Sequence, residues 1–408
     1  MAALPPSKRG LKNVKPDLMI DLSRKLEGNR YHPKTNPDGI IDIGSAYNEL
    51  MLHDLEVWTR RNFHTKDVQS SLPYNDTQGS PELLQAAAAF VNRHFAPRRP
   101  VRVSNVLAAS GGTSLLDTVF FNVCDQGDVV LLPTPSYGMF AHDLTTRNEI
   151  SLCGVKCDDI VDARFGNTGD PRAEAIATAS FIERFEKAVV EVQASGKKVA
   201  AVLLSNPENP LGRVYSADTL VALAQFCARH RLHLVVDEIY AMSSREAFSS
   251  ALSDFGLGGL RLGFLITYNK QLYDTMRTLS MFTWVSSFSA TLAAKLLSDN
   301  RYLELEYFPK FRQRLCERQQ YVETQLEKCG IPYIRPTAAF FLFIDLSEWL
   351  PTQGTADQAQ GELDLLGSLM DHGIFMEPGS KPGWFRFNYG VNEPTQQNKR
   401  TSTESAVA

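Results

Sequence analysis

A carboxylate that closes an apolar, β-branched run is costly to bury unless a cation or a proton-bearing nitrogen stands beside it. Asp237 in VVDEIY (235–240) is such a group, and Tyr240, three residues on, could hydrogen-bond the same ligand. An aspartate capping a following helix is the alternative use of that position. LAASGGTS (107–114) ends an apolar run in small residues ahead of the helix-like LLDTVFFNV. Such a turn aims backbone N–H groups and a helix dipole at an anion, and Thr113 and Ser114 add hydroxyls; a plain glycine-rich turn uses the same residues. PTPSYGMF (133–140) presents Tyr137 after VVLL, either as a ring that stacks on a flat heterocycle or as a packed turn residue. SNPENPLG (205–212) sets Asn206 and Asn209 after a buried run, where an asparagine donates to a phenolic oxygen or shapes a turn. Arg261, in the apolar run LRLGFLIT (260–267), suits a buried anion, and Arg386 in PGWFRFNY (382–389) offers a planar fork to a carboxylate. DFGLGGLRLGFL (254–265) fails as a dinucleotide loop, because Arg261 stands where GxGxxG requires its third glycine.

Most of these groups end apolar runs, the place where ligands bind in α/β sheets. VVLLP (129–133), VAAVLLSNP (199–207), LHLVVDEIY (232–240) and LRLGFLIT are separated by segments of helical periodicity. PELLQAAAAFVNRHF (81–95), opening with Pro and Glu, predicts a helix. Runs apolar on both faces predict buried strands of a largely parallel sheet covered on both sides, so the class is α/β in three layers. Residues 75–300 are expected to form this large cofactor-binding domain. Residues 1–74 and 301–390 are more charged, with a long helical stretch at 302–329 and the strand-like FFLFIDLS at 340–347. They are expected to build a smaller α+β domain from both chain ends. Residues 391–408 are polar and aperiodic, and a disordered tail is expected there.

The 408 residues carry 42 Lys and Arg against 46 Asp and Glu, a net charge of -4, so nothing draws the whole chain to nucleic acid or to an anionic membrane. Hydrophobic content of 43% with 10% aromatic residues suits a globular chain rather than a disordered one. The cysteines at 124, 153, 157, 227, 316 and 329 show no CxxC spacing and read as unpaired packing residues. The N-terminus lacks the apolar core of a secretory signal, and no run approaches the roughly 18 apolar residues of a membrane span. A soluble, reducing, cytoplasmic setting is expected.

In this order, and together with NPDGIIDIGSAYNELM (36–51), these segments resemble the class I/II aminotransferase family of fold-type-I pyridoxal-phosphate enzymes. The resemblance runs from about residue 35 to 390 and is to the branch similar to 1-aminocyclopropane-1-carboxylate synthase. It implies pyridoxal 5'-phosphate as cofactor, a small amino-acid substrate, and a homodimer with sites at the interface. Asp237 would then pair with the pyridine nitrogen, Asn209 and Tyr240 would meet the phenolic oxygen, and Tyr137 would stack on the ring. Thr113, Ser114 and Arg261 would hold the phosphate, with Tyr74 of YNDTQG reaching the phosphate of the neighbouring subunit. Tyr47 and Arg386 would face the substrate, Arg386 at its α-carboxylate. The implied activity is transamination or a related elimination, including carbon–sulfur lysis, of the kind found in secondary-metabolite biosynthesis. A catalytically inactive relative that binds a ligand or a partner subunit is the reading from another class.

Two departures qualify the resemblance. Tyr47 stands where the synthases carry Glu, which argues against the cyclopropane-forming reaction. The family's Schiff-base lysine, eight residues ahead of the phosphate arginine, falls on Ser253, only 16 residues after Asp237. The connecting SSREAFSSALS (243–253) contains no β-branched residue and cannot replace the sheet strand that normally delivers the lysine. Lys270, nine residues past Arg261, is too far along the chain to substitute. A segment of about 20 to 30 residues, enough for a loop, a helical turn and a strand, is therefore expected to be missing between about Ser243 and Asp254.

Overall fold

The computed structural model describes residues 4–13, 18–160, 171–243, 255–351, 358–379 and 381–391. The expected tail at 391–408 lies outside the described residues except for Val391, and so does Ser253. Strand β1 (Ile41–Asp42) precedes β2 (Val106–Ala109), β3 (Val129–Thr134), β4 (Ser151–Lys156), β5 (Val199–Ser205), β6 (His233–Asp237) and β7 (Gly263–Ile266). The order β4-β3-β5-β6 forms a wholly parallel sheet, as two-faced apolar runs predict.

Alternation along these strands builds two cores. Val129, Leu131, Val202 and Leu204 pack against Phe181 and Phe185 of the helix Pro171–Ala194 and Phe226 of the helix Ala217–His230. Val130, Leu132, Ala201 and Leu203 face Phe120 of the helix Gly112–Val123 and Phe140 and Leu144 of the helix Phe140–Asn148. Three layers result. The helix Pro81–Phe95 starts where its sequence predicts: Ser80 Oγ accepts the Leu83 N–H at 3.2 Å, and Pro81 occupies the first turn, where its missing N–H costs nothing.

One strand departs from the buried reading. β6 is partly exposed, with Val236 at 37%, because among the described residues only its β5 edge is paired. β7 does not join it. It pairs antiparallel with β2 in a separate two-stranded sheet and leaves Ile266 36% exposed.

Further along come β8 (Tyr333–Ile334), β9 (Phe341–Asp345), β10 (Ile374–Phe375), β11 (Glu377–Pro378) and β12 (Trp384–Asn388). β11-β12-β9-β8 is an antiparallel sheet, and β10 pairs in parallel with β1, which ties the two chain ends together. The helical stretch expected at 302–329 comprises a short turn, a π-helical segment Leu303–Tyr307 and the helix Phe308–Lys328, which buries Phe311, Leu315, Val322 and Leu326. All six cysteines are unpaired, as their spacing predicts.

Candidate active site

Because β3, β5 and β6 run parallel, the residues that follow them emerge at one edge of the sheet: Tyr137 after β3, Asn209 after β5, and Asp237 and Tyr240 at and after β6. The antiparallel register of β2 and β7 sets Ala109 opposite Gly263, so the residues just after β2 meet those just before β7. There Arg261 lies over Gly111. A side chain at 111 would place its Cβ 2.8 Å from Arg261 Nη2, and Gly111 has φ +94°, so only glycine permits this approach. A Cβ at Gly112 would sit 3.9 Å from Ile239 Cγ2, which places the glycine loop beside the end of β6. Ser114 Oγ donates to the Gly111 carbonyl at 3.0 Å, and Thr113 Oγ1 donates to Asp143 Oδ2 at 3.3 Å.

Arg261 corrects one expectation. It is exposed, in left-handed backbone with φ 46°, and is not part of a buried run. LRLGFLIT reads as one apolar strand, but the chain turns at Gly258–Leu260 and the strand begins only at Gly263.

Arg386 is buried at 3% exposure, and cross-strand pairing sets Glu377 of β11 directly opposite it. Its Nη2 donates to the Glu377 carboxylate and to the Gly44 carbonyl at 2.7 Å, and Nε donates to that carbonyl at 3.1 Å. Nη1 donates to Asn209 Oδ1 at 3.0 Å. The guanidinium lies 5.2 Å from the centre of the Phe341 ring, against which Tyr240 stands edge-on at 5.0 Å. Burial works against the charge of Arg386, yet Glu377 holds its pKa above the ordinary value. The fork read as a substrate-carboxylate site is thus engaged by a carboxylate of the chain itself. Glu377 escaped the sequence reading; a lone acid in the apolar run GIFMEP was the available signal.

Burial pushes Asp237 up to about 6, helped by the nearby Asp143 charge and opposed only by the Ile239 N–H, which donates to Asp237 Oδ1 at 3.3 Å. Burial likewise raises Glu238 to about 7, with the Asp237 charge adding to it. Among the described residues no cation pairs with Asp237. Burial raises Tyr137 and Tyr240 as well, and both feel the charges of Arg386, Glu377 and Asp237. Tyr137, Asn209, Asp237, Tyr240 and Arg386 therefore share one neighbourhood, assembled from separate strand ends.

The aminotransferase class I and II family pattern matches residues 40–400. The chain belongs to this family. It is similar to 1-aminocyclopropane-1-carboxylate synthase-like protein 1 from Homo sapiens, 32% identical over 392 residues that cover 89% of this chain and 75% of the relative. It is also similar to 1-aminocyclopropane-1-carboxylate synthase from Nicotiana tabacum, 30% identical over 401 residues, 89% of this chain and 78% of that one. A Thermus thermophilus aspartate aminotransferase double mutant shares the fold with a TM-score of 0.73 at 19% identity, covering 100% of both chains. The fold expected from the sequence is the fold observed.

Not every residue that the family resemblance marks joins the cluster. Tyr47 is 48% exposed, with the Arg30 guanidinium 5.1 Å from its ring centre. Tyr74 is 93% exposed and stacks on Trp284 at 5.3 Å. Lys270 opens the helix Lys270–Leu279 and pairs with Asp274 at 2.5 Å, away from the site as its spacing predicts. No group of side chains able to hold a metal ion occurs among the described residues.

Proposed function

We propose that this class I/II aminotransferase-family chain holds pyridoxal 5'-phosphate and acts on an amino acid or a metabolite derived from one, as an aminotransferase-type enzyme or a carbon–sulfur lyase. The observation that carries this reading is Asp237, a carboxylate at the meeting point of the strand ends with no cation among the described residues to neutralise it. A pyridine nitrogen bearing a proton meets that need. The glycine loop after β2 offers backbone N–H groups at the start of the helix Gly112–Val123, with the Arg261 guanidinium over it, which fits a phosphate. With its Oδ1 turned to Arg386, Asn209 keeps its amide nitrogen as a donor. These contacts fit the cofactor. When bound, it supplies an electron sink for the bonds at the substrate's α-carbon. Tyr137 would cover the ring, and Glu377 would hold the guanidinium of Arg386 until a substrate carboxylate competes for it.

The 93% exposure of Tyr74 supports a role across a subunit boundary, and we therefore propose a homodimer. We also propose the division into a large domain at 75–300 and a smaller one from 1–74 and 301–390. Among the described residues no helix is long and apolar enough to cross a membrane, and a cytoplasmic location is proposed.

Titration with pyridoxal 5'-phosphate tests the reading. A saturable absorbance change and a rise in melting temperature are expected, both lost in Asp237→Ala. Because Ser253 offers only a hydroxyl, borohydride treatment followed by intact-mass measurement should show no reduced pyridoxyl adduct. Failure of the wild-type chain to bind the cofactor refutes the proposal.

A further inference from the structure

A guanidinium carries five N–H groups, and a carboxylate held by its fork needs two parallel ones. Arg386 has no such pair left. Nε and one hydrogen of Nη2 go to the Gly44 carbonyl at 3.1 and 2.7 Å, the other hydrogen of Nη2 goes to the Glu377 carboxylate, and Nη1 gives one to Asn209 Oδ1 at 3.0 Å. Among the described residues a single N–H, on Nη1, remains. The backbone fixes the two partners that close the fork. Glu377 stands directly opposite Arg386 in the β11–β12 register, and a Cβ at Gly44 would lie 2.5 Å from the Glu377 backbone nitrogen, so these segments are in close contact.

The charge of Arg386 is matched as fully as its donors. A substrate carboxylate that competes for the guanidinium would divide one cation between two buried anions, which disfavours the ionised form of both. Burial already raises the Glu377 carboxyl, with Arg386 holding it down and the Asp42 charge adding to the rise. Arg30 gives no help there, because it pairs with Asp42 at 3.1 Å.

Glu377 is the more open member of the pair, its side chain 15% exposed against 4% for Arg386. Among the described residues its Oε1 accepts no hydrogen bond, since Arg386 donates to Oε2. The pair therefore offers an incoming group one acceptor and one donor and no net charge. A carboxamide is the complement: its carbonyl accepts, its N–H donates, and it is neutral.

We propose that the substrate is an α-amino carboxamide, an amino acid amide whose carbonyl accepts from Arg386 Nη1 and whose N–H donates to Glu377, and that Glu377 selects it over the free amino acid. This inference rests on the cofactor reading above and specifies the substrate of that site.

The probes are the 5'-phosphopyridoxyl conjugates of L-alaninamide, L-alanine and ethylamine, which differ only in the group that meets Arg386 and Glu377. Each carries the cofactor covalently and needs no Schiff-base lysine to bind. In calorimetric titrations of the full chain near pH 8, the alaninamide conjugate should bind about tenfold or more tighter than the alanine conjugate, with the ethylamine conjugate between them. In Glu377→Gln the alanine conjugate should bind at least as tightly as the alaninamide one; if that variant does not fold, the ranking on the wild type decides alone. The proposal is overturned if the alanine conjugate matches or exceeds the alaninamide conjugate on the wild type, if the alaninamide conjugate does no better than the ethylamine one, or if the folded variant keeps the wild-type preference. Binding of pyridoxal 5'-phosphate without binding of any conjugate overturns it as well. Failure of pyridoxal 5'-phosphate itself to bind refutes the cofactor reading and this inference with it.

Discussion

Replacing Asp237 with asparagine should have opposite effects on the chain with and without its cofactor. Without cofactor, burial raises Asp237 from 3.8 to about 6. A raised carboxylate is most favourable when protonated, so its contribution is complete below about pH 4 and is lost as the pH climbs through about 6. A shift of that size corresponds to about 3 kcal/mol, and allowing for the part of the group open to solvent leaves about 1 to 2 kcal/mol at pH 8. The amide that replaces the carboxylate is neutral at every pH. Asp237→Asn should therefore match the wild type near pH 4 and exceed it by about 1 to 2 kcal/mol at pH 8, a few degrees in melting temperature. Asp143 and Glu238 titrate in both proteins, and because the Asp237 charge also raises Glu238, the difference between the two curves reads Asp237 together with its coupling to Glu238. With pyridoxal 5'-phosphate present the order should invert, because the variant cannot neutralise a protonated pyridine. A loss on the order of 3 kcal/mol, roughly 100-fold in affinity, is expected. Melts from pH 4 to 8, with and without cofactor, read both effects. A variant less stable than the wild type at pH 8 without cofactor, or a difference that does not change with pH, would mean that a cation already serves Asp237 and would refute the reasoning.

Glu377→Gln leaves the Arg386 guanidinium buried without its counter-charge and should cost about 3 to 5 kcal/mol in a urea titration. An amino acid added in excess should recover part of that loss, since its carboxylate can take the vacated place. Gly111→Ala combines a left-handed backbone with a Cβ 2.8 Å from Arg261 Nη2, and should cost about 1 to 3 kcal/mol while weakening inorganic phosphate as a competitor of the cofactor. Phe185→Ala empties a fully buried position against Phe181 and Phe226 and should cost about 3 to 5 kcal/mol, with cofactor affinity unchanged once the protein is folded.

Local pattern decided much of this molecule. The helix Pro81–Phe95, with Ser80 and Pro81 at its start, and strands β3, β5 and β9 lie where propensity and two-faced apolar runs place them, since capping and burial act over a few residues. The cluster's members were legible one by one for a related reason: a polar residue that ends a buried run needs a partner wherever it finally sits. Which partner it finds is another matter. Arg386 meets the Gly44 carbonyl from 342 positions away, and Glu377 only because β11 and β12 pair in that register. β6 and β7 read as equally buried strands, yet the pairing of β7 with β2 leaves an open edge on each. Side-chain hydropathy determines which face of a strand is buried, but the edge hydrogen bonds go to backbone groups that every residue carries, so only tertiary pairing decides which edge stays open.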